Sequence, residues 1–340
     1  MANFSTGNLV TAQTILNDKY SKPEMRMKPC PAYALLTGNT DFMMESAAVL
    51  RTREDRPIEA HLLTRTKRAT TNARSYNHTG TIDDSQKVTL TWGTKADKTT
   101  ISLKLLDNSV FEFNAVLANK LEQCMMNIVE DLETATINYL LAQRTQFSAA
   151  LKGATFNAAT DVTEITADSK NQFYQLVKSV MKQNKYKGQL DVIADSLMYV
   201  SAEYQAAQGA GNQSNLAFQF NGLNIAESIE LADANYPAGI VLAMPSQTTC
   251  ALTWIPKQNR NGWGDYNSYN GGFGTISDPW GLGLTFALHG YAQRSDTSAT
   301  NGNTQDVTME FEVSLDTSFN KAPLSGANSE SVIYELAQVA

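Results

Sequence analysis

The chain has 340 residues, of which 42% are hydrophobic and 18% charged, with a formal net charge of −7 at pH 7. Length and composition allow one large domain, or two or three intimate ones, around a real core, and they exclude disorder as the default state. No apolar run approaches the ~20 residues of a membrane span, and the start, MANFSTGNLVTAQ, lacks the basic-then-apolar pattern of a secretory signal, so a cytosolic protein without a membrane role is expected.

In chain order, residues 1–50 read as an arm. Leu9 to Leu16 suits a short helix, after which Pro23, Pro29 and Pro31 keep the chain extended. Positive charge then gathers in Arg51, Arg53, Arg56, Arg65, Lys67, Arg68 and Arg74, against Glu54, Asp55 and Glu59. Strand signals run from about Glu59 to Asp107. Val88, Leu90 and Trp92 alternate with Lys87, Thr89 and Thr91, and Ile101, Leu103 and Leu105 alternate with Ser102 and Lys104. A turn from Lys95 to Lys98 between these runs would make a two-stranded hairpin with little core of its own.

The stretch 115–147 contains neither Gly nor Pro. Its apolar stripe, Leu117, Leu121, Cys124, Ile128, Leu132, Ala135 and Tyr139, steps by three and four as one face of a helix does. Val129, Ile137, Leu140 and Leu141 widen that face, and Asn114 is the expected N-cap. A helix of this length is on the order of 50 Å long at about 1.5 Å per residue. Its mixed spacing and Asn, Gln and Thr on the outer face do not suit a coiled coil, so it reads as a single strut packed on one side.

Beyond it, a small strand precedes a helix over Ser169 to Asn184, with Phe173, Leu176, Val177, Val180 and Met181 on one face. Leu190 to Ala194 is a short apolar strand leading into a helix from Asp195, its N-cap, to Gln208. FQFNGLNIAESIEL reads as two strands around Asn221-Gly222. Gly239 to Met244 and Cys250 to Ile255 are buried strands, and Leu284 to Arg294 and Val307 to Leu315 are late ones. Between them, residues 259–283 are rich in Gly, Asn, Tyr and Trp, including Trp263, Tyr266, Tyr269, Phe273 and Trp280. From 301 onward the acids Asp306, Glu310, Glu312, Asp316, Glu330 and Glu335 face Lys321 alone. The fold class is α+β, without a regular βαβ rhythm.

The order of arm, basic hairpin, long helix, compact α/β module and late strands resembles tailed-bacteriophage major capsid proteins of the Hong Kong 97 type. FNGLNIAESIEL followed by YPAGIVLAMP is similar in flavour to segments of such coats. The resemblance covers essentially the whole chain and rests on order and spacing. It implies an N-terminal arm over 1–50 and an extended E-loop over 51–112. A P-domain follows over 113–165, with a spine helix at 115–147, then an A-domain over 166–295 and a P-domain return over 296–340. It further implies a virion protein that forms hexamers and pentamers, in the bacterial cytoplasm, into an icosahedral shell around double-stranded DNA. The partners it implies are other copies, a scaffolding protein, a portal and decoration proteins, with no membrane. No segment ahead of the arm resembles the type member's long scaffolding helix. Scaffolding is therefore separate or already trimmed, and the Met1 start favours a separate protein. The Lys and Asn that crosslink some family members do not align here, so that chemistry is not carried over.

Physical chemistry agrees with a shell. An acidic coat avoids sticking to DNA, because phosphate affinity needs clustered Lys and Arg. The basic segment 51–74 is the candidate for DNA contact, weighed against a bridge to a neighbour's acidic surface. Interfaces between copies are expected at the seven basic residues above, at Trp92, Lys95 and Lys98, and at Trp263, Tyr266, Tyr269 and Trp280. Deleting Pro57 to Leu106 is expected to leave a folded subunit that cannot close shells.

Catalytic and metal readings are weaker. Cys30, Cys124 and Cys250 are odd in number and far apart, which suits buried structural thiols. His61, His78 and His289 belong to no HExxH motif or Cys/His pair, and no GxSxG occurs. Gly271-Gly-Phe-Gly274 lacks the Lys-Ser/Thr of a phosphate loop. The sequence therefore reads as non-enzymatic, with no metal or cofactor. Two alternatives stay open: an encapsulin-like nanocompartment shell, and a carbohydrate-binding or hydrolytic β-rich protein that stacks sugars on the aromatic section.

Overall fold

The computed structural model describes residues 5–22, 30–37, 39, 41–53, 58–62, 70, 72, 74, 76–77, 86–102, 112–145, 153–183, 188–209, 222–295, 306–323 and 332–339. Three helices come first: α1 (Thr6–Lys19), α2 (Pro31–Leu36) and α3 (Ala47–Arg51). Strands β1 (Glu59–Leu62), β2 (Gln86–Thr89) and β3 (Gly93–Ser102) follow, and then the long helix α4 (Phe113–Ala142).

The long helix is wrapped more completely than a strut packed on one side. The stripe Leu117, Leu121, Cys124, Ile128 and Leu132 is buried as expected, but so are Ala118, Met125, Val129, Glu133, Thr136 and Ile137. The fully exposed positions are Ala115, Asn119, Gln123, Asn127, Glu130, Asp131, Thr134, Asn138 and Ala142, most of them along one face. Each fully buried Leu or Ile contributes roughly 1.5–3 kcal/mol, so α4 organises the main core. Its N-cap is Glu112 and not Asn114, whose side-chain oxygen instead accepts from Asn8 of α1 at 2.9 Å. At its C-terminal end the Arg144 guanidinium donates to the Leu141 carbonyl at 3.0 Å, and Thr145 N donates to Ile333 O at 2.8 Å. By Thr145 the chain has therefore left the helix for a segment near the C-terminus.

The described part of residues 1–50 lies on the chain's own core. Ala12, Leu16 and Tyr20 of α1 are buried against α4, and Lys19 pairs with Glu122 at 2.8 Å. α2 starts on Pro31, whose fixed φ suits a first helical turn. The free N–H groups of Ala32 and Tyr33 donate to the Glu133 carboxylate at 3.1 and 3.0 Å, so a side chain from the middle of α4 caps this helix. All three cysteines are buried and unpaired, and burial pushes each thiol up to about 12.

The hairpin expected around Lys95 to Lys98 is not there. β3 runs straight through those residues, and β2 pairs antiparallel with β1, Leu62 opposite Gln86. Polar residues signalled a turn; their partners are polar residues of α4. Lys95 reaches Asp131 at 3.2 Å and Asn127 donates to Asp97 at 2.8 Å, so the strand's alternation continues with charged residues on its inner face. A deletion reaching Leu106 would therefore cut a strand out of the core sheet.

After α4 come β4 (Ala154–Asn157), β5 (Val162–Ile165), a 3-10 turn (Ala167–Gln172), α5 (Phe173–Gln183), β6 (Leu190–Ala194) and α6 (Ser196–Gly209). Then follow β7 (Leu223–Glu227), β8 (Ile240–Pro245), β9 (Thr249–Trp254), α7 (Lys257–Asn261), β10 (Gly272–Ser277), β11 (Thr285–Ser295), β12 (Asp306–Lys321) and β13 (Tyr334–Gln338). Asp195 caps α6 as expected, accepting from Met198 N at 2.8 Å, and also accepts from Ile240 N at 3.1 Å. β7 pairs in parallel with β6; the strand expected before Asn221-Gly222 lies outside the described residues.

Besides the β1–β2 ladder, the described residues form two larger sheets. The first runs β10-β11-β12-β3, with β9 continuing the β11 side of β12. The second runs β4-β5-β13-β8-β6-β7. In β8, Val241 and Ala243 face the layer of α5 and α6, whereas Ile240, Leu242 and Met244 face the core of α4. A strand covered on both faces reads as a continuous apolar run, which IVLAM does. The sheets do not follow the expected division at 166–295 and 296–340: β9, β10 and β11 join the long-helix sheet, and β13 enters the middle of the other one.

Candidate assembly surfaces

The β1–β2 ladder stands on a small core of its own, made by Phe42, Met43, Leu50, Ile58, Ala60, Leu62 and Leu90 with Cys250, Leu252 and Trp254 of β9. Polar clasps close it. Glu45 accepts from His61 N at 2.9 Å and meets the His61 ring Nδ1 at 2.6 Å, and Lys87 pairs with Glu59 at 2.6 Å. Trp254 Nε1 donates to Arg53 O at 2.8 Å, and the Arg260 guanidinium donates to Thr52 O and Arg53 O at 3.0 and 3.1 Å. The backbone of Arg53 is thus a fixed point, and Arg74 is exposed. Arg56, Arg65, Lys67, Arg68 and His78 lie outside the described residues.

Three other expected contact residues are engaged within the chain. Trp92 packs on Trp254 with ring centres 6.4 Å apart, Lys95 reaches Asp131, and Lys98 pairs with the directly opposite Glu312 at 3.2 Å. The pairs of Lys95 and Lys98 are largely exposed, the class that contributes about 0–1 kcal/mol.

The aromatic section divides in two. Trp263 and Tyr269 are exposed, whereas Tyr266 and Trp280 are 8% and 2% exposed and belong to the main core. Tyr266 and Trp280 are therefore held largely inside the chain and leave little surface for a neighbour or a sugar, unlike the surface aromatics expected there. The glycines explain the first: a Cβ at Gly272 or Gly274 would collide with the Tyr266 ring, so GGFG is a cradle for a tyrosine. The Asp278 carboxylate explains the second, accepting from Trp280 N, Leu282 N and Leu284 N at 3.0, 2.9 and 2.8 Å and holding Trp280 edge-on to Tyr20. His289 stacks on Phe273 at 4.5 Å. The whole section sits in the long-helix sheet, tied to α1 by paired hydrogen bonds of 3.1 Å between Gln13 and Ser277.

Two surfaces escaped the sequence reading. On α6, Leu197, Val200 and Tyr204 are 59%, 58% and 65% exposed at i, i+3 and i+7. A second apolar stripe opposite Met198 and Ala202 was the available signal. The other is a groove of about 1190 Å³ between α4, α2 and β7, with Glu130, Glu133, Glu227 and Glu230 in its lining beside Ile229 and Trp280. Its acids come as two close pairs, Glu130 with Glu133 and Glu227 with Glu230, about a hundred residues apart, so no single local motif marks it. Burial pushes the Glu133 carboxyl above its ordinary range.

No protein-family model and no curated protein matches the sequence. Solved structures do align with it. One is the capsid structure of the cyanophage P-SCSP1u, 10% identical with a TM-score of 0.41, covering 85% of each chain. Another is the asymmetric unit of the bacteriophage PhiM1 mature capsid, 12% identical with a TM-score of 0.42, covering 84% of this chain and 83% of that one. A third is the holo-SrpI encapsulin complex from Synechococcus elongatus PCC 7942, 10% identical with a TM-score of 0.40, covering 75% and 76%.

Proposed function

We propose that this chain is a coat subunit that assembles, through rings of six and five copies, into the closed shell of a tailed phage around double-stranded DNA. The observation that supports it most is the β1–β2 ladder. Two four-residue strands, clasped to a rigid frame, are joined by residues 63–85, far longer than the two to five residues a hairpin needs. That connection carries Arg65, Lys67, Arg68 and Arg74 against Asp83 and Asp84, in a chain of net charge −7. A folded body carrying a long basic connection suits a subunit whose neighbour supplies the complementary surface. On this reading the protein is structural, and its further partners are a scaffold, a portal and decoration proteins.

The test is size-exclusion chromatography with negative-stain microscopy of the purified protein, alone and with a co-encoded scaffold. Closed shells, rings or tubes are expected; a strictly monomeric or dimeric species in both preparations overturns the proposal. Replacing residues 63–85 with a short turn keeps β3 in place and is expected to leave a folded subunit unable to close shells. Particle contents, nuclease-sensitive DNA or protein cargo, separate a phage coat from a nanocompartment.

A further inference from the structure

We infer that the outer face of the long-helix sheet, at the corner held by Trp263 and Tyr269, binds a neutral polysaccharide by ring stacking, a role the coat reading neither needs nor supplies. The sheet's alternation builds this face. In β10, β11 and β12 the inner positions Ile276, Phe286, Leu288, Met309, Phe311 and Val313 pack in the core of α4. The outer positions then fall in register. Phe273, His289, Glu312 and Lys98 form one row, and Tyr291, Glu310 and Thr100 the next. Phe273 stacks on His289 with ring centres 4.5 Å apart, and His289 meets Tyr291 at 5.9 Å.

The loop between α7 and β10 adds two rings to that corner. Phe273 N donates to Trp263 O at 2.7 Å, which sets Trp263 opposite Phe273. The Glu310 carboxylate holds the Tyr291 hydroxyl above its ordinary range, and the neighbouring Tyr269 adds to the shift, which places Tyr269 beside the second row. Between the two, Tyr266 is sunk in the core and Gly264 bridges Gly272. The loop is thus pinned from inside while Trp263 and Tyr269 stay 54% and 83% exposed. Rings presented on a pinned loop lose little conformational freedom on binding.

The chemistry around the rings selects a sugar. Interleaved with them are Asp265, Asn267, Ser268 and Asn270, polar groups able to pair with hydroxyls, and residues 262–271 contain no Leu, Ile, Val, Met, Lys or Arg. A pyranose offers the matching combination, an apolar C–H face for a ring and hydroxyls around its rim. Asp265, Glu310 and Glu312 stand here against Lys98 among the described residues, in a chain of net charge −7. That balance disfavours nucleic acid and anionic glycans. A second copy fits less well, because a stable contact has a dry apolar centre and these rings are separated by hydrogen-bonding groups.

Tryptophan fluorescence reads this site selectively, because Trp254 and Trp280 are buried and Trp92 packs on Trp254. The full-length protein is titrated with three neutral hexasaccharides: β-1,4-linked glucose, β-1,4-linked N-acetylglucosamine and α-1,4-linked glucose. Single-stranded DNA and heparin are the charged probes. Saturable binding of at least one neutral hexamer is expected. Trp263→Ala and Tyr269→Ala are each expected to weaken it about tenfold, and Trp263→Phe to retain most of it. Tyr204→Ala, which removes an exposed ring on α6, is expected to leave it unchanged. No saturation by any neutral hexamer overturns the inference, as does tighter binding of DNA or heparin, or binding that survives Trp263→Ala with Tyr269→Ala. If that double variant keeps its circular dichroism but no longer assembles, and no hexamer binds, the corner is a contact between copies and the inference falls. None of these outcomes touches the coat reading, whose own test is the assembly state.

Discussion

The two ends of the described chain are tied down by different physics. Near the N-terminus, α1 and α2 lie on α4 through side chains: Ala12, Leu16 and Tyr20 pack, Glu122 takes Lys19 and Tyr20, and Glu133 caps α2. Near the C-terminus, β13 is held by backbone ladders on both edges, parallel to β5 and antiparallel to β8. Side-chain ties can be removed singly and respond to pH, whereas a strand in the middle of a sheet is all or nothing.

The largest expected effect follows from that contrast. Deleting residues 332–340 splits the six-stranded sheet between β5 and β8 and removes the buried side chains of Ile333, Leu336 and Ala337 from the core; loss of soluble, folded protein is expected by far-UV circular dichroism. Deleting residues 1–22 removes only one packed helix and is expected to leave a folded subunit, about 3–6 kcal/mol less stable in urea titration. If the N-terminal deletion is the worse of the two, the comparison is wrong.

Leu132→Ala in the shared helix comes next, with an expected loss of about 2–5 kcal/mol, because a fully buried side chain leaves a cavity with walls on several sides. Glu133→Ala strands two backbone N–H groups and is expected to cost about 1–3 kcal/mol.

Glu133→Gln sharpens the pH side of the comparison. Burial raises the folded-state value of Glu133 above its unfolded one, so the folded chain holds the proton more tightly. Its contribution is complete below the unfolded value, near ~4.3, and is lost as pH rises through the raised one. Glu335 behaves alike, raised by burial and partly pulled back by Arg144. Denaturant midpoints measured from pH 4 upward are expected to lose part of their downward slope in Glu133→Gln; an unchanged slope would place the titration elsewhere. Lys98→Ala, which removes an exposed cross-strand pair with Glu312, is expected to change stability by about 0–1 kcal/mol.

Much of the fold was legible where burial is periodic. The stripe of α4, the face of α5, the Asp195 cap and the apolar runs of β6, β8 and β9 all follow local rules. The candidate surfaces were less so. Lys95 to Lys98 looked like a turn because their partners, Asp131 and Asn127, are some thirty residues away on another element. Tyr266 and Trp280 looked like surface aromatics because glycines usually mark open loops, yet here they make room for a ring.

By itself, the sequence determined the long helix and most of the helices and strands after it, the burial of the three thiols and the uneven placement of charge. These depend on spacing and composition, which neighbours along the chain already express. Only the tertiary structure decided that β1 pairs with β2, that β13 enters the other sheet, that buried glutamates of α4 fasten the N-terminal helices, and that separated acids line one groove. Such features arise from contacts between residues distant in sequence, where hydrogen-bond satisfaction and packing select a partner that no local pattern names.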